Sequence, residues 1–302
     1  MAALTHSDLP KLTLLSKGKV RDIYATSEPD QLLFVASDRI SAYDVILKNG
    51  IPRKGKLLTE ISLFWFQKLA HIIPNHFITA NIDEMPIEVR EYREQLEGRA
   101  MLVKKAQVVP LEAIVRGYLT GSAWSEYKKS GTVHGIPLAP GLVESQKLPE
   151  PLFTPSTKAE QGSHDENISP EKAAALIGEE LYAKISAAAL ALYSSASDYA
   201  HDRGLILADT KFEFGLQNGE LLLIDELLTP DSSRYWPLEG YVAGKSQPSF
   251  DKQYLRDWLV GAGFKKGLEA GPEGTTDGWV IDEKVVQGTQ QRYEEVVAML
   301  TQ

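Results

Sequence analysis

The 302-residue chain has no cysteine. That removes disulfides, thiolate catalysis and cysteine-bound zinc or iron–sulfur sites. Its six histidines, at 6, 71, 76, 134, 164 and 201, follow no metal-ligand spacing. No apolar run approaches a membrane span, and the opening MAALTHSDLPKL lacks the basic-then-apolar order of a secretion signal. A soluble, cytoplasmic protein is expected, in which the Asn167-Ile168-Ser169 sequon is incidental. Positive charge is also scarce: 32 Lys and Arg against 41 Asp and Glu leave a net charge of −9, which argues against a broad nucleic-acid surface. Internal repeats, a Walker phosphate loop and the H-R-D and D-F-G signatures of protein kinases are all missing.

What is present is concentrated in Leu205 to Arg234. Asp209, Lys211 and Glu213 alternate at period two, which places them on one face of a strand with Phe212 and Phe214 on the other. Gln217-Asn218-Gly219-Glu220 carries a hairpin signal, so Leu221 to Leu227 runs back beside that strand. Register then decides the chemistry. A three-residue loop, Asn218 to Glu220, sets Glu213 opposite Asp225; a two-residue loop sends Asp225 to the wrong face. Opposed carboxylates repel and become tolerable when a divalent cation bridges them. Mg²⁺ suits hard carboxylate and phosphate oxygens, and Lys211 on the same face suits a phosphate. The alternative is a solvated strand face bearing ordinary surface charges.

With 43% hydrophobic and 24% charged residues, the chain supports a sizeable core divided into two lobes. Strands are expected at Thr13 to Ser16, Val20 to Ala25, Leu32 to Ser37 and Ala100 to Lys105, with a helix near Lys56 to Ile72. These form an antiparallel sheet lobe over residues 1–107, and 108–302 form a mixed C-terminal lobe. Ser122 is expected to cap a short helix ending at Gly131. Pro137 to Ser169 reads as a mobile functional loop, whose Thr154, Ser156, Thr157 and Lys158 are placed to reach substrates. Ser169-Pro170 opens a long helix to about Arg203 that packs under the hairpin. Further helices start at Ser249 and span Tyr293 to Leu300.

Three other clusters carry charge. Lys17-Gly18-Lys19-Val20-Arg21-Asp22 sets three cations around a glycine, which fits a polyphosphate loop or a basic surface turn. Ser37-Asp38-Arg39-Ile40-Ser41-Ala42-Tyr43-Asp44 mixes hydroxyls, acids and a cation, and fits a capped turn as well as a site. Arg116, ahead of Gly121-Ser122 at a helix N-terminus, and Arg234, after Asp231-Ser232-Ser233, supply bidentate charge for one phosphorylated substrate.

Read in order, these segments, with Pro110-Leu-Glu-Ala-Ile-Val-Arg-Gly-Tyr-Leu-Thr-Gly-Ser, Phe153-Thr-Pro-Ser-Thr-Lys, Asp225-Glu-Leu-Leu-Thr-Pro-Asp-Ser-Ser-Arg and Pro248-Ser-Phe-Asp-Lys-Gln, resemble the phosphoribosylaminoimidazole-succinocarboxamide synthase (SAICAR synthetase) family from about Lys17 to Trp258. The resemblance implies an α+β, two-lobed ATP-binding architecture akin to ATP-grasp and kinase folds. It implies an ATP-dependent ligase of purine biosynthesis that joins L-aspartate to the carboxylate of carboxyaminoimidazole ribotide through an acyl phosphate, giving the succinocarboxamide, ADP and phosphate. Carried over by position, Lys17, Gly18, Lys19 and Arg21 resemble the ATP phosphate loop, Glu112 the adenine contact, and Glu213 and Asp225 the Mg²⁺ ligands. Lys211 resembles the phosphate-contacting lysine, and with Asp209 is expected to be catalytic. Arg116, Ser122, Asp231, Ser233 and Arg234 resemble ribotide contacts, and Asp38, Arg39 and Ser41 the acceptor end. The final forty residues carry no transferable motif.

Overall fold

The structure is a computed structural model that describes residues 2–43, 45–158, 165–250, 252–265, 267–273, 275 and 278–302. Asp44 and Asp251 of the sequence motifs, and 159–164 of the expected loop, lie outside the described residues. The chain divides into two compact units: residues 1–64, 76–105 and 250–302 form the first, and 65–75 and 106–249 the second.

The first unit begins with β1 (Leu14–Lys17), β2 (Arg21–Ala25) and β3 (Gln31–Ala36), followed by a short pair, β4 (Ser41–Ala42) and β5 (Val45–Ile46). Helix α1 (Lys54–Lys68) runs on into the second unit, and the first resumes with β6 (Phe77–Thr79), the single turns α2 (Ile87–Arg90) and α3 (Arg93–Leu96), and β7 (Ala100–Lys104). The five longer strands form one antiparallel sheet in the order β1-β2-β3-β7-β6. Alternation in β3 turns Leu33 and Val35 into a core with Ile82, Met85, Val89 and Leu96.

The second unit starts with β8 (Gln107–Tyr118), α4 (Gly121–Ser130), the small hairpin β9 (Thr132–Val133) and β10 (Ile136–Pro137), β11 (Lys147–Phe153) and β12 (Ser156–Thr157). Two helices follow, α5 (Pro170–Ile177) and α6 (Glu179–His201), then β13 (Leu205–Gln217), β14 (Glu220–Ile224) and β15 (Ser233–Pro237). Strand β13 is the axis of a six-stranded antiparallel sheet, flanked by β8 on one side and by β14 and β15 on the other. Pro110, which has no N–H to donate, falls in the register shift between Glu213 and Gly215. Helix α6 packs on β13, and Tyr193 on its buried face donates its hydroxyl to Leu207 O at 2.6 Å.

Several expectations are corrected. The segment read as a loop contains β11 and β12, because Lys147 to Thr157 completes the sheet beside β8. The long helix is broken at Gly178, whose φ of +91° suits glycine and ends α5. Ser169 does cap α5, accepting from Lys172 N, with Pro170 in the first turn. Thr120, and not Ser122, is the N-cap of α4, and Ser122 lies one residue inside the helix. The last two helices, α7 (Gln253–Gly261) and α8 (Glu283–Thr301), start at Lys252 and Asp282 caps. They group with the first unit, so a single cut after residue 107 does not describe the chain. The reason is burial: Leu255, Leu259, Trp279, Ile281, Val285 and Val286 share one core with Ile40, Leu47 and Ile51.

Candidate active site

In the first unit, the turn from Gly18 to Arg21 joins β1 to β2, with Gly18 N donating to Arg21 O at 2.7 Å. Lys17 and Lys19 are exposed, whereas Arg21 is 8% exposed and lies 5.7 Å from the Phe34 ring centre. Arg39 turns inward. It forms a bidentate pair with Asp22, at 2.6 and 3.3 Å, and donates to Gly18 O, Lys19 O and Thr5 O. Asp38 accepts from Leu4 N, Gly55 N and Arg99, and Ser41 is buried in β4. Asp38 and Arg39, expected at the acceptor end, thus pair with internal partners, and Arg39 braces the basic turn.

In the second unit, the antiparallel register lays the charged residues of β13 out in cross-strand rows. The first row is Arg116, Asp209 and Arg234, with Asp209 the Cα partner of both arginines. Arg116 Nη1 donates to Asp209 Oδ2 at 3.0 Å, and Arg234 Nη1 donates to the same oxygen. Arg116 also donates from Nε to Thr154 Oγ1 at 3.0 Å and from Nη2 to Ser122 Oγ at 3.3 Å. Burial lowers the Arg116 pKa and Asp209 opposes that shift. Ser233 Oγ shares a 2.8 Å hydrogen bond with Thr210 Oγ1, and Asp231 N donates to Thr229 Oγ1 in the preceding turn. Gly121 has a φ of +59°, and a Cβ there would lie 2.5 Å from Arg234 Nη2, so glycine makes room for the guanidinium.

The second group centres on Lys211. Its ammonium pairs with Glu213 Oε1, with Glu112 Oε1 at 3.2 Å and with Asp225 Oδ2 at 4.0 Å. Burial acts to lower the Lys211 pKa, but the three carboxylates outweigh it and hold the ammonium well above the ordinary lysine value. Glu112 and Glu213 are direct cross-strand partners. Burial raises the Glu112 pKa, with Asp165 and Glu213 adding to it and Lys211 opposing. Lys158 occupies the other Glu213 oxygen, Oε2. Glu213 is 6% exposed and Lys211 half-buried, so this face is not a solvated surface.

The hairpin register differs from the one that would oppose Glu213 and Asp225. Gln217 pairs with Glu220 across a two-residue loop, and Glu213 faces Ile224. Asn218 and Gly219 both have positive φ, 52° and 81°, the demand of a type I′ turn. Asp225 nevertheless reaches Lys211, because β14 ends at Ile224 and Asp225 adopts a left-handed φ of 69° that redirects it. Glu112, expected beside adenine, joins the lysine-centred group. An overlooked signal was Gly117 inside β8, since an isolated strand glycine marks close approach: a Cβ there would overlap the Tyr193 hydroxyl.

Glu213 and Asp225 fit a magnesium ion by the chemistry of their donors, two hard carboxylates that already share one cationic partner, Lys211. Among the described residues no three His, Asp or Glu side chains form a metal cage, so an ion held by these two carboxylates would need water and substrate oxygens to fill its shell.

The SAICAR synthetase family model matches residues 14–270. The phosphoribosylaminoimidazole-succinocarboxamide synthase of Maridesulfovibrio salexigens is 54% identical over 299 residues, covering 99% of this chain and 97% of its own. That of Pichia angusta is 56% identical over 297 residues, covering 96% and 95%. Among solved structures, SAICAR synthase from Saccharomyces cerevisiae complexed with SAICAR superposes with a TM-score of 0.88 at 47% identity, covering 99% of this chain and 98% of that one. A SAICAR synthetase in complex with ADP gives 0.67 at 26% identity, covering 95% and 97%. A match this continuous, on a fold of mixed helices and antiparallel sheets, leads to one conclusion: the chain belongs to the SAICAR synthetase family and is an ATP-dependent ligase of purine biosynthesis that forms a carbon–nitrogen bond.

Proposed function

We propose that this ligase joins L-aspartate to the carboxylate of carboxyaminoimidazole ribotide, consuming ATP with Mg²⁺ and releasing ADP and phosphate. A carboxylate resists amines because its oxygen leaves poorly. Transfer of the ATP γ-phosphoryl group to that oxygen gives an acyl phosphate and ADP; the aspartate amine then attacks the carbonyl carbon, phosphate departs, and the amine proton is lost to solvent. Catalysis of this kind rests on positioning and charge neutralisation more than on a protein nucleophile.

The observation that carries this reading is the polarity of one sheet face. Arg116 and Arg234, held by Asp209, offer net positive charge at one point along β13, and the acids around Lys211 offer net negative charge a few residues further on. Arg116, Ser122, Asp231, Ser233 and Arg234 bind the ribotide. Asp209, expected beside Lys211 as a catalytic group, acts as a positioning residue for the two arginines. Lys211 meets the transferring phosphoryl group, and Glu112 keeps its ammonium in place. Glu213 and Asp225 hold the magnesium ion, which when bound neutralises phosphate charge. Lys17, Gly18, Lys19 and Arg21 bind the ATP phosphates, with Arg39 fixing the shape of that turn. The two sheets belong to an ATP-grasp or kinase-like class of nucleotide-binding architecture, acting in the cytoplasm on small molecules alone, without nucleic acid; among the described residues no helix is long and apolar enough to cross a membrane.

Product analysis tests the reading. ADP is expected only when ribotide and aspartate are both present, together with a new amide. ADP formation with ribotide alone, and a phosphorylated hydroxyl as product, would make the protein a small-molecule kinase.

A further inference from the structure

Both oxygens of the Glu213 carboxylate are taken by ammonium groups, Oε1 by Lys211 and Oε2 by Lys158. The two lysines are held differently. Lys211 sits among Glu112, Glu213 and Asp225 with its side chain 25% exposed. Lys158 is 33% exposed, pairs with Glu213, and follows β12, a strand of two residues paired with Leu111 and Glu112 of β8. Its backbone N–H donates to Pro110 O at 3.3 Å, the long end of a hydrogen bond.

A divalent cation on Glu213 repels an ammonium at contact distance, so at least one lysine must withdraw when metal binds. Lys211 keeps Glu112 as a partner if it gives up Glu213; Lys158, the more exposed of the two and next to a strand of only two residues, moves at lower cost. We propose that Lys158 is an exchangeable counter-cation of the metal site: it neutralises Glu213 before metal arrives, and metal binding releases it. This rests on Glu213 being a metal ligand, as argued above. Two consequences follow from the electrostatics. Lys158 competes with metal and lowers the affinity of the free protein for it. Its release then presents a new cation to polyanionic substrates, so that metal loading favours their binding. If the pair merely anchored β12, removing Lys158 would loosen the strand and weaken metal binding instead.

The test needs no turnover. Mn²⁺ binding to the full chain, without nucleotide, is measured by electron paramagnetic resonance for the wild type, Lys158→Gln, Lys158→Arg and Glu213→Gln. Lys158→Gln is expected to bind Mn²⁺ roughly tenfold more tightly, the scale of one lost charge-assisted contact; Lys158→Arg stays near the wild type, and Glu213→Gln loses binding. Unchanged or weaker binding by Lys158→Gln, with Glu213→Gln still impaired, overturns the exchange alone. Undiminished binding by Glu213→Gln overturns the metal assignment itself. A second measurement uses the unmutated protein: acetylation of Lys158 by an amine-reactive ester, followed by mass spectrometry, is expected to quicken when Mn²⁺ is added. A rate that stays constant or falls contradicts release.

Discussion

The two charged groups on the sheet of the second unit lie a few residues apart on β13, yet they are built on opposite plans. In the arginine row a single carboxylate, Asp209, serves two guanidiniums, leaving one net positive charge. In the lysine group Glu112, Glu213 and Asp225 outnumber Lys211 and Lys158, leaving one net negative charge. The row is held from several sides, with Thr154 and Ser122 each accepting a hydrogen bond from Arg116. The lysine group is joined by residues that enter from outside the main register, Asp225 through a left-handed residue and Lys158 from beyond a two-residue strand. In the arginine row Asp209 is the direct cross-strand partner of both guanidinium-bearing residues, with a register shift against β15 just before it.

That contrast is broken most directly by Asp209→Asn, which leaves Arg116 and Arg234 facing each other without their shared acid. Removing one partner of a buried ion pair costs about 3–5 kcal/mol, so the urea midpoint is expected to drop sharply and the KM for ribotide to rise. Normal stability with kcat alone abolished would restore Asp209 to a catalytic role. Glu213→Gln or Asp225→Asn attacks the other group. Here kcat is expected to fall by roughly 10²-fold or more, the scale of lost electrostatic stabilisation, while far-UV circular dichroism stays unchanged. Full activity with unaltered metal dependence in either variant would sink the metal assignment.

Smaller effects sharpen the picture. Gly117→Ala forces the Tyr193 hydroxyl away from Leu207 O, and overpacking of this kind costs about 1–3 kcal/mol, measurable as lost stability without a selective change in the KM for ATP. Arg234→Ala removes one charged contact, worth about 1.5–3 kcal/mol, so the ribotide KM is expected to rise roughly tenfold or more while that for ATP changes little. Equal changes in both would place Arg234 elsewhere. The least effect is expected of Ser169→Ala, which deletes the side-chain cap of α5 and costs about 1 kcal/mol with no change in kinetics.

Much was legible in the residues themselves. Alternation placed Asp209, Lys211 and Glu213 on one face, Asn218-Gly219 marked the hairpin, Ser169-Pro170 marked a helix start, and the ordered motifs pointed to the family. Each depends on interactions within a few residues, and those are written locally in the chain. Asn218-Gly219 favoured the two-residue turn by local sterics alone, and that turn fixed which residue faces Glu213.

The partners of those charges were settled by the tertiary structure alone. Arg116 and Asp209 are 93 residues apart, and Lys158 and Glu213 are 55 apart. Period two assigns a side chain to a face but says nothing of the strand laid beside it, so neither pairing is written in β13. The resemblance set Arg39 at the acceptor end, and only the folded chain made Asp22 of β2 its buried partner. Helix α8 carries no motif because its contribution is apolar area, and the core that receives Leu255, Leu259 and Val285 is formed by residues more than 200 positions earlier, Ile40, Leu47 and Ile51. Local sterics and charge pattern determine elements and faces; which faces meet depends on burial and register over the whole chain, and those exist only once it has folded.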